Sequence, residues 1–94
     1  MLKFNEQELE ELNFLSHVEI AEPATWATQV ACGWFNGCDV CVAKSAAGGY
    51  FASTTINGHF HQSNSYHLSL LLRRMATLIV LGKFPSDRWL EIGF

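Results

Sequence analysis

Residues 26–45, which read WATQVACGWFNGCDVCVAKS, decide the fold of this chain. Two apolar runs flank the pair Asn36-Gly37. This pair is the strongest short-range signal for a β-hairpin, because a type I′ turn requires positive φ at both central positions. The sequence therefore predicts a hairpin over 26–45, closed by a two-residue turn.

The length of that turn also fixes the register of the hairpin, with Phe35 opposite Cys38 and Cys32 opposite Cys41. Alternation then gives two faces. The first carries Trp26, Val30, Cys32, Trp34, Cys41 and Ala43, and the second carries Ala31, Phe35, Cys38, Val40 and Val42. Both faces are apolar, so we expect one to pack on helices and the other to need cover or to bind a partner.

The segment before the hairpin predicts a helix over 5–18. Asn5 is a favourable N-cap, and Glu8 stands where it completes a capping box. Apolar residues recur at helical spacing along one side and form a stripe of Leu9, Leu12, Leu15 and Val18.

The segment after the hairpin predicts further strands. Residues 50–56 are rich in β-forming side chains. Asn57-Gly58 repeats the hairpin signal and predicts a short fourth strand over 59–62.

Residues 64–81 predict the main helix. Ser63 or Ser65 is the expected N-cap, and Gly82 suits the position just past the C-terminus. The core stripe comprises Leu68, Leu71, Leu72, Met75, Leu78 and Ile79.

These elements predict an α+β fold of order α-β-β-β-(β)-α-(β), in which residues 88–93 add a last short strand. We expect an antiparallel sheet of three to five strands, with an N-terminal and a longer C-terminal helix on one face. The 94 residues suit a single domain over 1–94.

Composition narrows the function. The net charge of −3 argues against direct nucleic-acid binding, because phosphate contacts require a basic surface. Only 16% of the residues are charged, so much of the surface is neutral or apolar and suits a partner protein or a second copy in a homodimer. No secretory signal or membrane span is visible, and three cysteines suit a reducing cytoplasm.

Four residues raise the alternative of a small metal-site or thiol-site protein: Cys38 and Cys41 form a CxxC, and His59 and His61 form an HxH. The predicted register argues against a shared metal ion, because residues three apart on a strand point to opposite faces. Cys32 and Cys41 are expected to form a non-hydrogen-bonded pair, in which a disulfide is geometrically possible.

The sequence contains no phosphate loop and no nucleophile-elbow motif, so we expect neither an enzyme nor a cofactor. The α-β-β-β-α order resembles that of double-stranded-RNA-binding domains. Those domains carry lysines at the start of their last helix, where this chain has none, so the resemblance implies topology alone.

The favoured interpretation is a non-catalytic protein-binding module, with an accessory subunit of an enzyme assembly as an alternative. In size and charge the chain resembles small acidic inhibitors encoded by phages and mobile elements, such as anti-CRISPR and immunity proteins. That resemblance implies a partner with a basic, nucleic-acid-handling surface. Acidic and aromatic side chains are the expected contacts. They are Glu6, Glu10, Glu11, Trp26, Trp34 and Phe35.

Overall fold

Two helices and five strands make up the computed structural model, which describes residues 3–21, 29–45 and 48–82. In chain order they are α1 Glu6–Leu12, β1 Ser16–Ala21, β2 Val30–Phe35, β3 Cys38–Lys44, β4 Tyr50–Ile56, β5 His59–Ser65 and α2 Leu68–Leu81. Each strand pairs antiparallel with its sequence neighbour, in the order β1-β2-β3-β4-β5. This arrangement confirms the predicted fold class.

The turn chemistry predicted both tight hairpins correctly. Asn36 has φ 50° and Gly37 has φ 83°, which are the left-handed conformations of a type I′ turn. The pairing that follows places Phe35 opposite Cys38 and Cys32 opposite Cys41, as predicted. The second Asn-Gly pair joins β4 to β5 in the same way, and β5 continues to Ser65 instead of ending at 62.

The first helix begins as predicted but ends early. The Asn5 side chain accepts from the Glu8 N–H at 2.8 Å, and the Glu8 carboxylate accepts from the Asn5 N–H at 2.7 Å, which completes the capping box. The predicted helix over 5–18 is wrong beyond Leu12. Residues 16–21 form β1, because their backbone pairs with β2 and His17 has φ 54°, outside the right-handed helical region.

The main helix begins four residues later than predicted. Asn64 and Ser65 remain paired with β4, and the N-cap is His67, which makes no side-chain cap. Ser65 instead accepts a hydrogen bond from the His67 N–H at 3.1 Å. Gly82 ends the helix with φ 77° as expected, and the proposed strand over 88–93 lies outside the described residues.

Both helices contribute to one core on the same side of the sheet, which we call the helix face. Ala31, Val40, Val42 and Ala52 are at most 2% exposed and supply the sheet side of this core. Buried side chains from the helical side pack against them, including Phe4, Leu12, Leu15, Leu68, Leu71, Leu72 and Met75. The hairpin face that carries Ala31, Val40 and Val42 is therefore the buried one.

Close packing between β1 and β2 depends on Gly33. A Cβ atom at Gly33 would lie 2.8 Å from the Leu15 Cβ and 3.0 Å from the Ser16 backbone oxygen. The register of β1 shifts between Ser16 and Glu19, next to this contact. A glycine at position 33 thus allows the chain leaving α1 to lie directly against β2.

Candidate functional site

The side of the sheet that faces away from both helices is the candidate site, and we call it the open face. The strand registers and the two-residue alternation determine which residues it carries. They are Ser16, Glu19 and Ala21 of β1; Val30, Cys32 and Trp34 of β2; Asp39, Cys41 and Ala43 of β3; Phe51, Ser53 and Thr55 of β4; and Phe60, Gln62 and Asn64 of β5.

Three aromatic side chains dominate this face. Trp34 is 50% exposed, Phe51 is 40% exposed and Phe60 is 67% exposed. Antiparallel sheets commonly present polar side chains on the face that meets water. An antiparallel sheet face with several exposed aromatic rings is therefore a candidate for covering by another molecule.

A shallow depression lies beside the rings of Phe51 and Phe60. Its volume is about 140 Å³, and its lining includes Val30, Cys41, Phe51 and Phe60. Pockets for drug-sized ligands are larger, at roughly 300–1,000 Å³, and enclose most of the ligand. The depression suits a side chain from a partner surface better than a free small molecule.

The charges on the open face are acidic. Its ionisable carboxylates are Glu19 and Asp39, and Asp39 lies directly across from Trp34. Lys44 is the one lysine or arginine within the five described strands, and its ammonium group is held by Glu8 on the helix face. The charges of the described open face are consequently negative and lie beside its aromatic rings.

The predicted contact residues do not form one surface. Glu6 and Glu10 are exposed and Glu11 is half-buried on α1, across the sheet from Trp34. The Phe35 ring stacks on Phe14, with ring centroids 5.2 Å apart, and packs against the core. The three glutamates and Phe35 belong to the helix side and Trp34 to the open face, whereas Trp26 lies outside the described residues. Which of these residues contact a partner stays a prediction.

The alternative metal site is not assembled either. Cys38 lies on the helix face and Cys41 on the open face, as strand alternation requires. His59 and His61 lie on the helix-face side of β5, opposite Ile56 and Thr54. Within 3–21, 29–45 and 48–82, no group of three or more His, Cys, Asp or Glu side chains is placed to hold a metal ion.

Cys32 and Cys41 do come together on the open face, and both are free thiols. Burial raises the pKa of Cys41 to about 12, with further contributions from its hydrogen bond to Cys32 and from the negative charge of Asp39. Cys41 is therefore protonated at neutral pH, which makes it a poor nucleophile in the resting state.

Comparisons with known proteins add no relative. No protein-family model, no curated protein and no solved structure matches the chain. Neither of the two described helices combines the length and the apolar character needed to cross a bilayer. The geometry of the open face is the observation on which a functional proposal rests.

One cluster on the helix face was not predicted. Glu8 is 4% exposed, and its carboxylate accepts hydrogen bonds from the Lys44 ammonium at 3.0 Å and from the Tyr50 hydroxyl. Burial alone would raise the pKa of Glu8, but the hydrogen bonds from Tyr50, the Asn5 N–H and Lys44 outweigh it, so the pKa is lowered. Burial and the hydrogen bond to Glu8 raise the pKa of Tyr50 to about 12.

This cluster ties α1 to the sheet. The capping box was the one part of it that the sequence indicated, because Glu8 and Asn5 are three residues apart. Lys44 and Tyr50 lie 36 and 42 residues further along the chain, so their contacts arise only in the folded state. The carboxylate is occupied by three donors, which is typical of a structural group and leaves it poorly placed to act on a substrate.

Proposed function

We propose that this chain is a non-catalytic protein-binding module that engages its partner through the open face. The observation that supports this proposal is the exposure of Trp34, Phe51 and Phe60 on the sheet face opposite both described helices. Aromatic side chains are enriched at protein interfaces and supply much of their binding energy, because they bury a large area with few rotatable bonds.

The charge of the open face favours a particular kind of partner. Glu19 and Asp39 lie among the aromatic residues, and no lysine or arginine of the five described strands is on this side. A complementary surface has apolar groups to meet the rings and basic side chains to meet the carboxylates. The proposed partner is therefore a protein with a basic, partly apolar surface.

A more specific form of this proposal is that the chain inhibits a larger nucleic-acid-handling machine. A basic surface that holds phosphates is the kind of surface that the open face complements. Glu19 and Asp39 supply the acidic contacts in this form, in place of the α1 glutamates, which lie on the other side of the sheet.

Affinity capture with three versions of the chain tests the proposal. The tagged wild-type chain, a Trp34→Ser/Phe60→Ser double variant and a Tyr66→Ser control are used to capture proteins from cells of the source organism. Tyr66 is a matched control because it is 78% exposed and lies in the connection between β5 and α2, outside the strands that form the open face. We expect one stoichiometric partner with the wild type and the control, and its loss from the double variant.

The captured partner is then purified and titrated. Loss of two interface aromatics at a cost of about 2 kcal/mol or more corresponds to binding at least about 30-fold weaker. We also expect Glu19→Lys to weaken binding, and rising salt to weaken it further. Equal affinity of the double variant and the wild type would reject the open face. Light scattering that shows a stable homodimer built on this face would reject a foreign partner.

A further inference from the structure

The proposed function assigns no role to Cys32 and Cys41, the two thiols that come together on the open face. The two residues are directly opposite each other across β2 and β3. Counting from the two-residue turn, this is a non-hydrogen-bonded pair, in which Cα atoms lie about 4.5 Å apart and side chains come closest. Disulfides span Cα separations of about 4.4–6.8 Å, so the backbone does not need to move apart or together to join these sulfurs.

We propose that Cys32 and Cys41 are a two-thiol modification site, oxidised reversibly to a cross-strand disulfide by a low-molecular-weight disulfide such as oxidised glutathione. Two observations support the site besides the register. Both thiols are free, and both are half-buried on the open face. The proposal is independent of whether the open face binds a protein.

The reaction balances as two thiol–disulfide exchanges. In the first, the thiolate of one cysteine attacks a sulfur of oxidised glutathione. The glutathione S–S bond breaks, and one glutathione leaves as a thiolate and takes up a proton. In the second, the other cysteine loses its proton and attacks the protein sulfur of the mixed disulfide. A second glutathione is expelled, so two protein thiols are oxidised and one glutathione disulfide is reduced.

The same geometry makes the bond reversible. A Cα separation of about 4.5 Å lies at the short end of the disulfide range, and strained disulfides are reduced more readily than relaxed ones. The raised pKa of Cys41 also sets the pH dependence. Its thiolate is scarce at neutral pH, so oxidation is slow there and accelerates as the pH rises.

Cys38 provides a built-in control. It lies on the helix face, so the body of β3 separates it from both open-face sulfurs. A Cys38→Ala variant retains the proposed pair, whereas Cys32→Ala retains one open-face cysteine and Cys38. Each variant has two thiols, one of which is Cys41, and only Cys38→Ala is able to form the cross-strand bond.

Intact-mass measurement after incubation with oxidised glutathione at pH 8 tests the proposal, with circular dichroism to show that each variant is folded. We expect Cys38→Ala to lose two hydrogen atoms without retaining glutathione, and to recover them in millimolar reduced glutathione. Cys32→Ala is expected to keep any glutathione that it acquires. Stable glutathione adducts on folded Cys38→Ala, or no oxidation of it at all, would overturn the site. A disulfide that millimolar glutathione does not reduce would overturn its reversibility.

Discussion

The two faces of the β2–β3 hairpin have similar hydrophobicity, but one is buried and the other is exposed. On the helix face Ala31, Val40 and Val42 are at most 1% exposed, whereas Trp34 on the open face is 50% exposed. Helix packing distinguishes the two faces, because each carries one large ring, Phe35 on the helix face and Trp34 on the open face. Gly33 allows Leu15 and β1 to approach the backbone of β2, while the ring of Trp34 lies on the side that no described helix covers.

The largest expected effect on stability comes from shortening a side chain of the buried core. Removing a larger ring from the open face is the matched comparison. Leu71 is fully buried against the helix face, and Phe60 is 67% exposed on the open face. We expect Leu71→Ala to lower the free energy of unfolding by about 2–5 kcal/mol because it leaves a cavity. Phe60→Ala removes more atoms, but we expect it to cost no more than about 1 kcal/mol.

Urea unfolding of both variants makes the comparison directly. A Phe60→Ala variant as unstable as Leu71→Ala would mean that the open face is covered within the same chain. That outcome would remove the basis for a protein partner at this face.

The second comparison concerns the close approach of β1 to β2 at Gly33. Gly33→Ala places a methyl group 2.8 Å from the Leu15 Cβ and 3.0 Å from a backbone oxygen, so β1 must shift. We expect a loss of about 1–3 kcal/mol, as for other overpacked sites. Cys32→Ala, one residue away on the open face, is the control and is expected to cost less. Thermal unfolding compares the two, and equal midpoints would show that β1 does not pack closely on β2.

The buried carboxylate of Glu8 gives the third contrast. Glu8→Gln removes the ion pair with Lys44 and weakens the hydrogen bond from Tyr50, and we expect it to cost about 1–3 kcal/mol. Glu10→Gln, exposed on the same helix, is expected to stay within about 0.5 kcal/mol of the wild type. Equal losses in urea unfolding would contradict the structural role of the cluster.

The same cluster predicts how stability depends on pH. The folded pKa of Glu8 is lowered, so its contribution is complete above the ordinary glutamate pKa of about 4.3 and is lost as the pH falls through the folded value. The folded pKa of Tyr50 is raised to about 12, so its contribution is complete below the ordinary value of about 10 and is lost as the pH rises through 12. The difference in the free energy of unfolding between wild type and Glu8→Gln should disappear in acid. The Tyr50→Phe variant should lack the loss of stability at alkaline pH.

The smallest expected effect concerns a hydroxyl group on the buried face. Thr54 is 1% exposed, and its Oγ1 has no hydrogen-bond partner among the described residues. Replacing it by the isosteric valine removes an unsatisfied polar group, so Thr54→Val should be neutral or stabilising by up to about 1 kcal/mol. Thr55→Val on the open face is the control, with no expected change. Marked destabilisation by Thr54→Val in calorimetry would indicate a hidden partner for the hydroxyl.

Sequence reasoning succeeded where local chemistry determines the backbone. Asn36-Gly37 fixes its turn, and therefore the register of every pair in that hairpin, without help from the rest of the chain. It failed at β1, where Leu15 and Val18 continue a helical spacing beyond the true helix end. The alternation of Val18 and Ile20 with polar neighbours was the signal for a strand, and pairing with β2 decides between the two patterns.

The candidate site was less predictable than the fold. Which hairpin face is buried depends on how the helices pack, and both faces were apolar enough to receive them. The acidic residues of α1 and the Trp34 ring lie on opposite sides of the sheet for the same reason. The contacts of Glu8 with Lys44 and Tyr50 depend on tertiary packing that no local pattern encodes.

The order of strands has a consequence for the rate at which the chain folds. Each described strand pairs with its immediate neighbour in sequence, and the widest sequence separation between consecutive described strands is that from Ala21 to Val30. Bringing together segments so near in sequence costs little chain entropy, and chains dominated by local contacts reach the native state sooner than chains that pair distant strands. We expect refolding in stopped-flow fluorescence to be fast for a five-stranded sheet, with closure of the two Asn-Gly turns as its early events.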